Sequence, residues 1–199
     1  MKIKISKNLI FHFLTVLCLI SFLIADVNLY YAYKYPIRYA NIISNEASAT
    51  GFDADFICAV IAVESGFKKY ALSSKGAMGL MQILPSTAII FTEQLDIELN
   101  DINDLYDETI NIRIGTTYLR YLKNKFFNIA TVLAAYNAGE TNVMSWLLDV
   151  NYSSDGATLI TTPFKETNDY IDKVMTALRI YRTKRRRYLK KMGIYNSSI

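Results

Sequence analysis

The sequence predicts a mainly α, single-domain protein behind an N-terminal apolar segment. Three observations carry that prediction. From Pro36 onward apolar residues recur at helical spacing, bounded by residues that start and stop helices. No period-2 strand series, βαβ alternation, internal repeat or low-complexity tract interrupts them. Residues 9–25 contain no Asp, Glu, Lys or Arg. With 199 residues, 52% of them hydrophobic and 13% aromatic, the chain can hold a leader plus one domain with a real core, and it is not a disordered protein.

Lys2, Lys4 and Lys7 precede the apolar run, so the N-terminus is expected in the cytoplasm and the remainder outside. The run's length falls between a signal-peptide core and a full membrane span. Ala25 could precede a cleavage site, but Leu23 is large where a small residue is wanted. Cys18 follows Leu17, which argues against lipid attachment there. Tyr30, Tyr31, Tyr33 and Tyr35 read either as an interfacial aromatic belt or as packing on the following domain. Residues 1–28 are therefore expected to be a signal peptide or signal-anchor, the uncleaved anchor being preferred. That makes the chain a single-pass protein of the cell membrane with its domain outside, or a secreted one if the leader is cleaved.

The domain is expected over residues 29–181. Pro36 suits the first turn of a helix running to about Ala49 and closed by Gly51. Asp53 can cap the next helix, with Phe52 and Ile57 spaced as a hydrophobic staple, and this helix ends near Ser65-Gly66. Residues 68–79 read as loop. Pro85 restarts a helix to about Leu95, and residues 107–126 carry helical spacing at Ile110, Ile114, Thr117 and Tyr121. Shorter helices are expected near 129–136, 141–148 and 166–181. Residues 182–199 form a basic tail, following a cluster that runs through Arg179, Arg182, Lys184, Arg185, Arg186, Arg187, Lys190 and Lys191. Such a run is a solvated helix face or a patch for an anionic wall polymer or lipid. Nucleic acid is not expected, because no nucleic-acid fold signature accompanies the charge and an exported domain would seldom meet it.

Residue inventory narrows the chemistry. The two cysteines, Cys18 and Cys58, imply no disulfide framework. The lone histidine, His12, lies in the leader, which excludes a His-based zinc site, Ser-His or Cys-His nucleophiles and imidazole acid–base work in the domain. No metal or cofactor is called for. Catalysis would have to run on carboxylates, amides, hydroxyls and backbone.

Glu64 is the group that stands out. It ends the nearly apolar run Ala59-Val60-Ile61-Ala62-Val63-Glu64, and on a helix it shares a face with Ile57, Val60 and Ile61. Apolar surroundings and the negative end of the helix dipole both disfavour its ionisation. A carboxyl kept protonated near neutral pH is what a general acid requires.

Four motifs follow in order: Glu64-Ser65-Gly66-Phe67 with Ser73; Gly76-Ala77-Met78-Gly79-Leu80-Met81-Gln82; Ala135-Tyr136-Asn137-Ala138-Gly139; and Pro163-Phe164-Lys165-Glu166-Thr167-Asn168-Asp169-Tyr170. Each alone is weak. Together, over roughly residues 35–181, they resemble the lytic transglycosylases of the SLT type, in the lysozyme-like superfamily. The resemblance implies a lysozyme-like helical domain that cleaves the β-1,4 bond between N-acetylmuramic acid and N-acetylglucosamine in peptidoglycan. It implies that Glu64 protonates the leaving oxygen and then, as a base, assists the muramic acid's own C6 hydroxyl to form a 1,6-anhydro product. The substrate-binding positions it implies are Ser73, Met81, Gln82, Tyr136, Asn137, Glu166 and Tyr170. Plainer roles stand beside these: Ser73 as a turn cap, Gln82 satisfying backbone groups, Tyr136 as a core tyrosine.

The chain departs from many relatives in having Lys68-Lys69-Tyr70 where they have Asn-Pro. Ile171 stands where valine is frequent, and residues 146–162 match poorly. Two other readings stay open. One is a muramidase that uses a water held by Glu166 or another carboxylate. The other is a weakly active glycan-binding scaffold, against which an acid kept from ionising argues.

Overall fold

The computed structural model describes residues 7–191, apart from the side chains of Lys7, Leu9 and residues 189–191. Lys2 and Lys4 of the cationic flank, the side chains of Lys190 and Lys191, and residues 192–199 of the expected tail lie outside the described residues. The chain divides at Pro36–Ile37 into two compact units.

The first unit carries one helix, α1 (Lys7–Lys34), whose described apolar side chains are exposed. Residues Ile10–Lys34 are long and apolar enough to cross a membrane, a property that a signal sequence near an N-terminus shares. The helix runs through Asp26 and Tyr30 without a break, well past the charge-free stretch read from the sequence.

The second unit is helical throughout: α2 (Ala40–Thr50), α3 (Ala54–Glu64), α4 (Pro85–Leu95), a short 3-10 helix (Ile102–Tyr106), α5 (Glu108–Lys125), α6 (Ile129–Ala138), α7 (Glu140–Leu147) and α8 (Lys165–Lys191). Local chemistry sets most boundaries. Asp53, Asp107 and Asn128 each accept backbone N–H bonds at the start of α3, α5 and α6. Gly51 closes α2 in the left-handed conformation. Pro85 opens α4 in its first turn. Among the described residues no strand forms, and only isolated bridges pair Met78 with Leu72 and Ile83.

Four expectations are corrected in whole or in part. Pro36 does not open α2, which starts at Ala40 after Tyr39, a residue held at φ 56°. Phe52 stacks on Phe56 (5.1 Å between centroids), one residue short of the expected staple partner Ile57. On α5 Ile114 and Thr117 are buried as expected, together with a stripe of Asn111, Gly115, Leu119 and Leu122, whereas Ile110 is half-buried and Tyr121 is exposed. Residues 182–191, assigned to the tail, continue α8 without interruption.

α3 is the central helix, with Ile57, Ala59, Val60 and Ile61 wholly buried. α8 lies along it through Val174, Ala177, Leu178 and Tyr181. The buried run Thr131–Ala135 of α6 packs against α5, α7 and α8. Burying four such aliphatic positions on α3 contributes on the order of 1.5–3 kcal/mol per larger side chain, which fixes where the helix's last residue, Glu64, emerges.

Candidate active site

Glu64 closes α3, and the chain must turn sharply beyond it. Ser65 ends the helix and its hydroxyl donates to the Leu80 carbonyl (2.7 Å) and to Ile61 O (3.2 Å). Gly66 (φ 59°) and then Phe67 (φ 62°) are left-handed. That conformation is easy for glycine and strained for phenylalanine. Burial holds Phe67 there: it is 1% exposed and stacks on Tyr39.

The loop carrying Gly76 to Gln82 is pinned beneath Glu64 from three sides. Ser65 holds Leu80. Tyr136, near the end of α6, donates its hydroxyl to the Met81 carbonyl (2.8 Å). Asn111, fully buried on α5, accepts from Met81 N (2.7 Å) and donates to the carbonyls of Met78 (2.9 Å) and Leu105 (2.7 Å). The approach is close enough that Gly79 is required: at φ 76°, a Cβ there would collide with the Asn111 side chain and the Leu105 carbonyl.

From the opposite side α8 delivers Tyr170, buried, whose hydroxyl donates to Glu64 Oε1 at 2.6 Å. Thr167, one turn earlier, donates to Asn137 Oδ1 (2.9 Å), tying the start of α8 to the end of α6. Burial raises the Glu64 pKa from 4.5 to about 7, and the Tyr170 hydrogen bond only partly opposes it. Burial, then the nearby Glu64 charge, raises the phenols of Tyr136 and Tyr170 well above 10, so both stay protonated donors at neutral pH. Glu64 is half-buried as a whole residue, while its carboxyl is strongly desolvated.

The other sequence-predicted residues fall around this centre in different ways. Ser73 Oγ accepts from Ala77 N (2.9 Å) and Lys75 N (3.3 Å), the arrangement of a turn cap. Gln82, left-handed at φ 51°, donates through its amide to Gly79 O (2.9 Å) and Ala71 O (3.3 Å). Met81 is completely buried with its side chain against Gly115, and its link to the centre is its backbone. Asn137 is half-buried at the α6–α8 junction. Glu166 is exposed and makes no hydrogen bond or ion pair among the described residues. Among the described residues no cluster of three His, Cys, Asp or Glu could hold a metal ion. A depression of about 300 Å³ lined by Thr162, Asn168, Ile171 and Asp172 includes neither Glu64 nor Tyr170.

Asn111 is the residue that sequence reading missed. Its signal was present: a polar side chain at i, with Gly115, Leu119 and Leu122 at i+4, i+8 and i+11 on what proves to be the buried stripe. Thr167 lay inside a quoted motif without being singled out.

The family description for the transglycosylase SLT domain matches residues 41–158, more than half of the chain. The chain is 32% identical over 152 residues to the soluble lytic murein transglycosylase of Escherichia coli K12, a match covering 75% of this chain and 24% of that protein. It is 30% identical over 171 residues to membrane-bound lytic murein transglycosylase C of Salmonella arizonae, covering 75% of this chain and 48% of that one. An inactive mutant of lytic transglycosylase Slt from Pseudomonas aeruginosa superposes with a TM-score of 0.67 at 28% identity, over 83% of this chain and 26% of that chain. The 70 kDa soluble lytic transglycosylase of Escherichia coli gives a TM-score of 0.66 at 30% identity, over 75% of this chain and 25% of that chain. The chain thus spans about a quarter of the length of the soluble relatives and about half that of the membrane-bound one.

Proposed function

The chain belongs to the transglycosylase SLT domain family, and on that premise we propose that it is a peptidoglycan lytic transglycosylase whose acid and base are both Glu64. The observation that carries the reading is the Glu64 carboxyl itself: desolvated to a pKa of about 7 and bonded on one oxygen by a phenol, in a residue that is not fully buried. With Tyr170 donating to Oε1, the carboxylic proton belongs on Oε2, free to move to substrate.

The reaction is then a balanced transfer. Oε2–H gives its proton to the glycosidic oxygen as the bond from C1 of N-acetylmuramic acid to that oxygen breaks, and N-acetylglucosamine leaves with a hydroxyl. The carboxylate so formed takes the proton of the muramic acid's C6 hydroxyl as O6 bonds to C1. A 1,6-anhydro sugar results, Glu64 is protonated again, and no water is consumed. Glycosidases of the two-carboxylate kind need a second carboxyl as base or nucleophile. Glu166, the nearest rival in the motifs, is exposed and unpaired among the described residues, which supports a single-carboxylate path. Holding the substrate's own nucleophile close replaces that group. The Asn111-pinned loop and Tyr136 serve this as positioning elements, with Ser73, Gln82 and Asn137 at the margins of the glycan site.

The same reading places the domain outside the membrane, tethered by α1 acting as a signal-anchor. The basic end of α8 would lie against an anionic lipid or wall polymer, which would compete there with Asp53 and Asp55 for Arg182 and Arg185. Mass spectrometry of muropeptides released from purified peptidoglycan tests the chemistry. Anhydro products from the unmutated chain and none from Glu64→Gln are expected. Reducing-end products, heavier by one water, would make the enzyme a hydrolase.

A further inference from the structure

Beyond Ser65 the chain makes two successive turns, with Lys68 N donating to Ser65 O and Ala71 N to Lys68 O, both at 3.2 Å. Each such turn brings its first and fourth Cα within about 7 Å, so Ala71 lies within about 14 Å of Ser65. Tyr70 rides on the second turn, and its side chain stands 72% exposed. Yet it is not loose. The Tyr106 ring meets it edge to face at 5.5 Å, and Lys69, over its ring at 5.7 Å, is fixed by an ion pair with Glu108. The next residue's carbonyl, Ala71 O, is held by Gly79 N (2.9 Å) and by the Gln82 amide (3.3 Å).

An aromatic ring exposed to this degree gives up apolar burial, and one already fixed loses little entropy on meeting a ligand. Its setting defines what that ligand is. Lys68, Ser73, Ser74 and Lys75 lie near it in the chain, and Leu72 is the one other exposed large apolar residue of that segment, so the ring sits in a mixed, largely polar stretch. A polar ligand with one apolar face fits such a ring, and the C–H face of a pyranose is that ligand. We propose that Tyr70, backed by Tyr106, is an accessory stacking platform for a sugar of the glycan strand, outside the reacting centre. The platform rests on the glycan-cleaving activity proposed above, but it acts on binding rather than proton transfer.

The test uses the detergent-solubilised full chain carrying Glu64→Gln, so that binding is read without turnover, in sedimentation with purified peptidoglycan. Adding Tyr70→Ala or Tyr70→Leu is expected to weaken association about tenfold, whereas Tyr70→Phe and Tyr70→Trp stay within about twofold of the parent. Loss with leucine but not phenylalanine marks stacking rather than bulk. The ring is exposed and its contact with Tyr106 is a single edge, so alanine and leucine should lower the unfolding temperature by no more than about 2–4 °C, and phenylalanine and tryptophan by less. Equal binding by the alanine variant and the parent would overturn the platform and leave the cleavage reading intact. A parent that does not sediment with the glycan overturns the platform as well. Muropeptide release by the unmutated chain then decides whether the cleavage reading falls with it.

Discussion

The two ends of α3 treat their carboxylates in opposite ways. At the N-terminus Asp53 caps the helix and Asp55 lies in its first turn, and both meet arginines of α8. Arg185 reaches Asp55 at 2.8 Å and Asp53 at 3.4 Å, and Arg182 reaches Asp53 at 3.5 Å. At the C-terminus Glu64 meets no cation among the described residues, only the Tyr170 phenol of the same partner helix. The helix dipole favours the first pair and opposes the second. Burial raises both the Asp55 and Glu64 pKa values; Arg185 opposes the rise at Asp55 with a full charge, without cancelling it, while Tyr170 opposes it at Glu64 with one neutral hydrogen bond. One helix pair therefore holds a neutralised end, which serves stability, and an uncompensated end, which holds a proton ready near pH 7. Uncompensated burial is what makes the Glu64 end the candidate chemical end.

The sharpest way to break this contrast is Glu64→Gln. Muropeptide release should fall about 1,000-fold, the range for losing a general acid and base. Stability should move the other way. The folded carboxyl holds its proton to about pH 7 against an ordinary 4.5, so ionisation penalises the fold progressively as pH rises from 4.5 through 7. The variant should then resist denaturant by about 1–3 kcal/mol more than the parent at pH 8, and the two should converge near pH 4. A variant no more stable at pH 8 would mean that Glu64 is not desolvated.

Next in size is Asn111→Ala, which strands the Met81 N–H and the Met78 and Leu105 carbonyls in the interior. Equilibrium unfolding should show a loss of about 3–4 kcal/mol. A loss below about 1 kcal/mol would show that the loop under Glu64 is held by Ser65 and Tyr136 instead. Arg185→Ala probes the neutralised end. It should destabilise the chain by about 1 kcal/mol at pH 7, discounted because the arginine is half exposed. The effect should vanish near about pH 3, where Asp55 is protonated in folded and unfolded chains alike. A pH-independent effect would point to lost packing.

The smallest expected change, and the most specific, is Tyr170→Phe. The unmutated enzyme should lose activity as pH rises through about 7, because the acid must be protonated. Removing the hydrogen bond that lowers the Glu64 pKa should move that alkaline limb upward, read from the pH profile of the initial rate. A downward move would mean that the phenol donates to the protonated carboxyl more strongly than to the ionised one.

Much of this was legible one residue at a time. Asp53, Pro85 and Gly51 announce their helix ends because capping and proline and glycine geometry are local to neighbours in sequence. Glu64 announces itself because an apolar run that ends in a carboxylate already implies a desolvated acid. Pro36 misled because its place between α1 and α2 depends on where the first unit ends rather than on its own φ preference.

The sequence alone determined the helical class and the order of the main helices, and it singled out Glu64 as the candidate acid, all from periodicity and residue type. Tertiary structure alone decided which groups reach that acid. Tyr170 and Glu64 are separated by 106 positions, and Asn111 and Met81 by 30. It also decided that Ser73 and Gln82 spend their hydrogen bonds on nearby backbone. Hydrogen bonds act over about 3 Å and have no memory of sequence distance. Only the packing of α8 along α3, and of α5 under the loop, brings those partners within that range.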